Sequence, residues 1–128
     1  MPDYTPVQRA KARPFTMTAG AAISGGQLLQ ATGDKAVSPC TANTQRAVAV
    51  AAHDAPSGGR VTCWELCNII HESVNNNAGT VAAGAAITAG ASAGVDTNTL
   101  AVAAAAGTFI GICTKGALTG AKLQWIGV

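Results

Sequence analysis

Aromatic side chains make up 4% of the 128 residues and charged ones 11%, and each shortage excludes a class of function. A nucleic-acid binder needs a basic face, usually interleaved with aromatics on which bases stack. Here the formal net charge is +2, and Arg9, Lys11 and Arg13 against Asp3 place all of it on the first fourteen residues, leaving a neutral body. No apolar run approaches the ~18 residues of a membrane span. The start Met1-Pro-Asp-Tyr4 lacks the basic and apolar regions of a signal peptide. The expectation is a soluble protein made in a cytoplasm, with neither nucleic acid nor membrane as partner. Large aliphatics are also scarce: Leu, Ile, Val and Phe number 25 against 28 Ala, just under the ~20% at which disorder becomes a serious reading. Low charge removes the second half of that signature. What remains is a single folded domain with a thin core, which gains stability by docking on a partner or on further copies of itself.

What is present is a repeat. Val48-Ala-Val-Ala-Ala-His-Asp-Ala-Pro-Ser-Gly-Gly-Arg-Val-Thr-Cys-Trp64 returns without a gap as Ile110-Gly-Ile-Cys-Thr-Lys-Gly-Ala-Leu-Thr-Gly-Ala-Lys-Leu-Gln-Trp-Ile126. Each copy reads as a strand, a small-residue turn closed by Gly58 or Gly120, and a second strand opened by Arg60 or Lys122. Upstream of each lies a weaker echo, Ile23-Ser-Gly-Gly26 and Val81-Ala-Ala-Gly84. The expected fold is mainly β, a small barrel or sandwich built from two related hairpin units.

Residues 1–14 carry three prolines within a run lacking helical or strand period, and read as an extended arm; residues 15–128 form one β domain. Phe15-Thr-Met-Thr-Ala19 alternates as a half-buried strand does. Further strands are expected over Gln27–Ala31, Ala36–Ser38, Ala47–Ala52 and Arg60–Leu66, with Thr32-Gly-Asp-Lys35 as a tight turn; Asn68–Val74 fits part of a strand or of a short-helix template, and its β-branched residues favour the strand. From Ala82 to Gly107 the chain is almost entirely Ala, Gly, Thr and Ser, and is expected to form small-residue strands and loops on the surface. Ala103–Ala106 is too short to hold a helix. The last hairpin is expected to tie the C-terminus into the sheet.

Cys63, Cys67 and His71 form the one metal-like spacing, with His53 elsewhere, but in a strand such spacing spreads ligands too far along the chain for one tetrahedral ion. With Cys40 and Cys113 the thiols read as small core residues. His53-Asp54 and His71-Glu72, with Ser57 and Ser73, supply ingredients of acid–base or nucleophilic catalysis. Adjacent strand residues point to opposite faces, so neither pair can act as base and orienter. Ser24-Gly-Gly26 and Ser57-Gly-Gly59 lack the Lys-Ser/Thr ending of a phosphate loop. The reading is therefore a non-enzymatic protein without cofactor or metal. Trp64 and Trp125 stand one residue apart in the repeat, as candidate subunit-contact anchors or as core filling.

Ile23-Ser-Gly-Gly-Gln-Leu-Leu29, Thr32-Gly-Asp-Lys-Ala-Val37, the stretch from Val48 to Thr62, Val81-Ala-Ala-Gly-Ala-Ala-Ile87 and Gly111-Ile-Cys-Thr-Lys-Gly-Ala-Leu-Thr119 follow one another in an order that resembles the small Ala/Gly-rich capsid decoration, or cement, proteins of tailed phages. The match runs from about Thr16 to Val128. The resemblance implies a β-rich module on the outer surface of the virion head, commonly a homotrimer, bracing the major capsid protein. On that reading Tyr4, Arg9, Lys11, Arg13 and Phe15 are the capsid-binding candidates. The alternative is a virion-displayed module for host-surface glycans, with Tyr4, Trp64 and Trp125 as its aromatic platform.

Overall fold

Alternation of side chains along the sequence is carried into strands throughout. The computed structural model describes residues 3–8, 13–41, 44, 46–77, 79–90, 95–97 and 110–128, and among these there are ten strands and no helix. β1 (Phe15–Ala19), β2 (Leu28–Gly33), β3 (Ala36–Pro39), β4 (Ala47–Ala51) and β5 (Arg60–Glu65) close into a barrel in the order β1-β3-β2-β4-β5. β6 (Ile70–Val74), β7 (Ala86–Ala89), β8 (Val95–Thr97), β9 (Gly111–Lys115) and β10 (Lys122–Gly127) form a curled sheet in the order β6-β10-β9-β7-β8. Followed the other way round, the barrel runs β1-β5-β4-β2-β3. The sheet thus repeats the barrel strand for strand, β6 standing for β1, β10 for β5, β9 for β4, β7 for β2 and β8 for β3. The barrel closes through the parallel pair β1–β3, with Thr18 opposite Ala36. Among the described residues the sheet stays open between β6 and β8.

The duplication extends to single hydrogen bonds. Ile23 and Ala55 exchange two backbone bonds of 2.9 Å, and Val81 and Ala117 exchange two of 3.0 Å. The Gly26 amide reaches the Ala51 carbonyl at 2.8 Å, as the Gly84 amide reaches that of Cys113 at 2.8 Å. Four turn glycines sit at positive φ in matching pairs, Gly26 with Gly84 (87° and 91°) and Gly58 with Gly120 (84° and 82°). Nothing lies within 4 Å of a Cβ added at Gly58 or Gly120, so a substitution there meets only the backbone penalty of the left-handed region. Gly58→Ala and Gly120→Ala are each expected to lower stability by about 1–2 kcal/mol. Urea unfolding of both variants checks this; one neutral and one costly substitution would break the equivalence.

Two cores result. The barrel interior holds Ala19, Ile23, Leu29, Val37, Ala49, Ala51, Ala55, Val61 and Cys63. Five strands enclose little volume, which is why four of these nine are alanine. The second core is larger, because the curled sheet wraps around the barrel's outer wall. Leu28, Cys40 and Val50 of the wall meet Val81, Ile87, Ala89, Ile110, Cys113, Leu123 and Trp125. Successive side chains in β2 and β4 therefore serve different cores: Leu28 and Val50 face the sheet, while Leu29, Ala49 and Ala51 fill the barrel. Where both faces are covered, at Leu28–Leu29 of β2 and Ala49–Ala51 of β4, the strands are apolar without interruption.

In the Thr32–Lys35 turn Lys35 takes the left-handed conformation, at φ 55°. The stretch from Ala82 contributes to the interior as well as the surface, since Ile87, Thr88 and Ala89 of β7 are buried; Ala103–Ala106 lies outside the described residues. The C-terminus is tied in as expected: the Asn68 amide donates to the Gly127 carbonyl at 3.0 Å and the Val128 amide to that of Ile110 at 3.2 Å.

Candidate functional site

The described start of the arm is bound to the body. The Tyr4 amide donates to the Ala52 carbonyl at 2.7 Å, and Gln8 pairs antiparallel with Ile70 through bonds of 3.3 and 2.9 Å. Trp64 Nε1 donates to the Tyr4 carbonyl at 3.3 Å. The Tyr4 ring packs on the second core. A segment without strand period is thus held by main-chain bonds and one aromatic anchor.

That anchor meets a buried polar column on β6. His71 is fully buried between Tyr4 and Trp125, its ring stacked on Tyr4 at 5.9 Å and tilted on Trp125 at 5.0 Å. Nε2 lies 2.8 Å from the Glu65 carbonyl, which can only accept, so Nε2 carries the proton and Nδ1 is the acceptor. The Tyr4 hydroxyl donates to Nδ1 at 2.7 Å and accepts from the Glu72 amide at 3.1 Å. Burial pushes the His71 pKa down to about 4 and raises that of Tyr4. Two residues on, Ser73 Oγ accepts from Trp125 Nε1 at 3.0 Å. At the strand's end Asn75 Nδ2 donates to the carbonyls of Gly79 and Ala117, at 3.2 and 3.0 Å. Sequence reasoning missed this column. The available signal was the repeat: His71, Ser73 and Asn75 occupy the places of Phe15, Met17 and Ala19 in β1, an apolar face replaced by polar residues at period two.

The other candidates fall in different places. Trp125 is fully buried and Trp64 5% exposed, so both rings belong to the interior of the chain. Phe15 is 38% exposed at the start of β1, and Arg13 is exposed just before it. Arg9 and Lys11 lie outside the described residues. With both tryptophans inside and the Tyr4 ring stacked on His71, the rings named for a glycan platform are engaged within the chain.

The chemistry-bearing pairs are separated. His71 points inward while Glu72 lies on the other face of β6. His53 Nδ1–H donates to the Asp54 carbonyl at 2.8 Å and its Nε2 accepts from the Thr62 amide at 3.1 Å, while the Asp54 carboxylate takes the Gly25 amide at 2.8 Å. These two residues fasten a turn. Cys63 lies in the barrel core, and Cys67 is exposed with its thiol on the Val128 carbonyl at 3.3 Å. The Cys63, Cys67 and His71 side chains do not converge, and no cluster of three metal-ligating side chains occurs among the described residues. Burial pushes the Cys40 thiol up to about 12 and Cys63 to about 11, which keeps both protonated and unreactive. A groove of about 280 Å³ between Val48, Leu66, Ile110 and Val128 has the Glu65 carboxylate and the Cys67 thiol on its wall.

The arrangement of barrel and curled sheet is found in a solved structure. The crystal structure of the head fiber gp8.5 N base in bacteriophage phi29 matches with a TM-score of 0.69 at 17% sequence identity, over 91% of this chain and 94% of that one. The two chains share a fold. The sequence itself matches no protein-family model and no curated protein. At this identity the likeness concerns backbone architecture, and no side-chain role passes from one chain to the other.

Proposed function

We propose that this chain is a structural protein of a phage head, a decoration module that sits as a homotrimer on the outer surface of the capsid and braces neighbouring major capsid subunits. The observation carrying this reading is the shared fold with a head fiber base over more than nine tenths of both chains. The motif order resembling capsid decoration proteins supports it independently. So does the chemistry: the buried histidine has both ring nitrogens engaged, three thiols are buried, His71 and Glu72 lie on opposite faces of β6, and His53 and Asp54 are each bonded to backbone at a turn. Many weak contacts repeated around a shell add by avidity, so each copy can bind modestly.

The basic residues Arg9, Lys11 and Arg13, followed by exposed Phe15, are the proposed capsid contacts. Purified protein added to undecorated heads is expected to bind saturably and to raise their resistance to heating. Replacing the three bases together by alanine is expected to lower occupancy several-fold and to flatten its salt dependence, as charge screening requires. Occupancy measured by quantitative gel and located in a density map of the particle decides the matter. No binding of the unaltered protein would overturn the reading, and unchanged occupancy of the triple variant would remove the arm from it.

A further inference from the structure

The internal repeat exposes an asymmetry between its two halves. On the outer wall of the barrel, Leu28, Val50 and Trp64 are register partners in adjacent strands, and they are 0%, 0% and 5% exposed. The curled sheet covers this wall, taking Leu28 and Val50 into its core. The equivalent row on the outer face of the sheet is Ala86, Ile112, Ile126 and Ile70, again register partners across β7, β9, β10 and β6. It is as apolar as the first row, and each of its members is only half-buried. Three β-branched side chains in one cross-strand row form a surface suited to packing on another sheet.

The next row supplies the complementarity. Glu72, Gln124 and Lys115 are partners across β6, β10 and β9, so acid and base lie on opposite sides of the central strand. Their backbones are two strand spacings apart, roughly 9–10 Å, with Gln124 between them. We infer that the outer face of β6, β10 and β9 is a contact between copies of this chain, arranged in a ring about an axis running along β10, with Ile70 of one copy against Ile112 of the next and Glu72 against Lys115.

Any rotation about such an axis brings the β6 side of one copy to the β9 side of its neighbour. The same pairs therefore form whether the ring holds two copies or three. Ile126, on the central strand, faces the axis in every copy. This deepens the oligomeric part of the reading above and is tested apart from it, because it concerns the free protein and not the head.

Molecular mass by sedimentation of the full chain is the measurement. The unaltered protein is expected to run as a closed oligomer at micromolar concentration. Ile126→Asp is expected to weaken association about a hundredfold or more, as for a central apolar contact, while its far-UV circular dichroism stays β. Glu72→Lys and Lys115→Glu alone are expected to weaken it several-fold, and the two together to restore it. An unaltered protein that stays monomeric overturns the proposal, as does an oligomer indifferent to these substitutions or a double variant no better than the singles. If Ile126→Asp loses head occupancy while the free unaltered chain is a monomer, the face belongs to the capsid and the proposal falls while the head-binding reading stands.

Discussion

Trp125→Ala is expected to lower the free energy of unfolding by about 4 kcal/mol, the range for a buried large aromatic cut to a methyl group. Trp125 is fully buried in the second core beside Leu123, Cys113 and Ile87, and its ring carries His71 on one side. Its loss leaves a cavity at the junction of sheet and barrel and strips the buried Ser73 hydroxyl of the indole N–H that donates to it at 3.0 Å. Domains of this size are stable by roughly 5–15 kcal/mol, so one side chain removes a large part of the margin. Trp125→Phe keeps most of the apolar volume and loses the hydrogen bond, and is expected to cost about 1–2 kcal/mol. Urea unfolding followed by circular dichroism measures both. A loss under about 1 kcal/mol for the alanine variant would mean that the sheet does not depend on this residue.

Trp125 also shows how far the sequence could be read. The gapless return of the Val48–Trp64 pattern pairs Trp125 with Cys63, and the structure places both inward, one in each core. The difference in size follows from geometry: a closed five-stranded barrel encloses little volume and is filled by Ala, Cys and aliphatics no larger than Leu and Ile, whereas an open sheet folded around that barrel leaves room for indole. The scarcity of large aliphatics, which reads as a core too thin to stand alone, thus has a second cause inside the fold. The hairpins were legible because turn glycines and period-two alternation are local signals. The parallel closure of β1 on β3 and the order of the second sheet were not, since each joins strands distant in the chain and leaves no mark in any short window. The split of His71 from Glu72 followed from alternation alone. The docking of Tyr4 did not, because a segment without period gives no hint of the side chain that anchors it, and its partner lies 67 residues away.

That distant pair makes stability depend on pH, and the sign can be worked out. In the unfolded chain His71 titrates near its ordinary value of about 6.5, whereas in the fold burial holds it down at about 4. Between those values the unfolded state binds a proton that the native state does not, so stability falls as the pH falls. The loss begins near pH 6.5 and is complete near pH 4, reaching roughly 3 kcal/mol from the size of the shift. The geometry gives the cause. Nδ1 accepts the Tyr4 hydroxyl proton at 2.7 Å while Nε2–H is already committed to the Glu65 carbonyl. A proton added at Nδ1 makes that nitrogen a donor, so the Tyr4 hydroxyl must turn its own proton out of the bond, while the Glu72 amide already donates to the same oxygen. The bond that holds Tyr4 is then the first to go. Hydrogen exchange at pH 7 and pH 4.5 is expected to show the Tyr4 and Glu72 amides losing protection ahead of the barrel strands. His71→Phe keeps the stack between Tyr4 and Trp125 and is expected to flatten the stability profile across this window, whatever its effect at pH 7. A variant retaining the full acid sensitivity of the unaltered protein would move the cause away from His71.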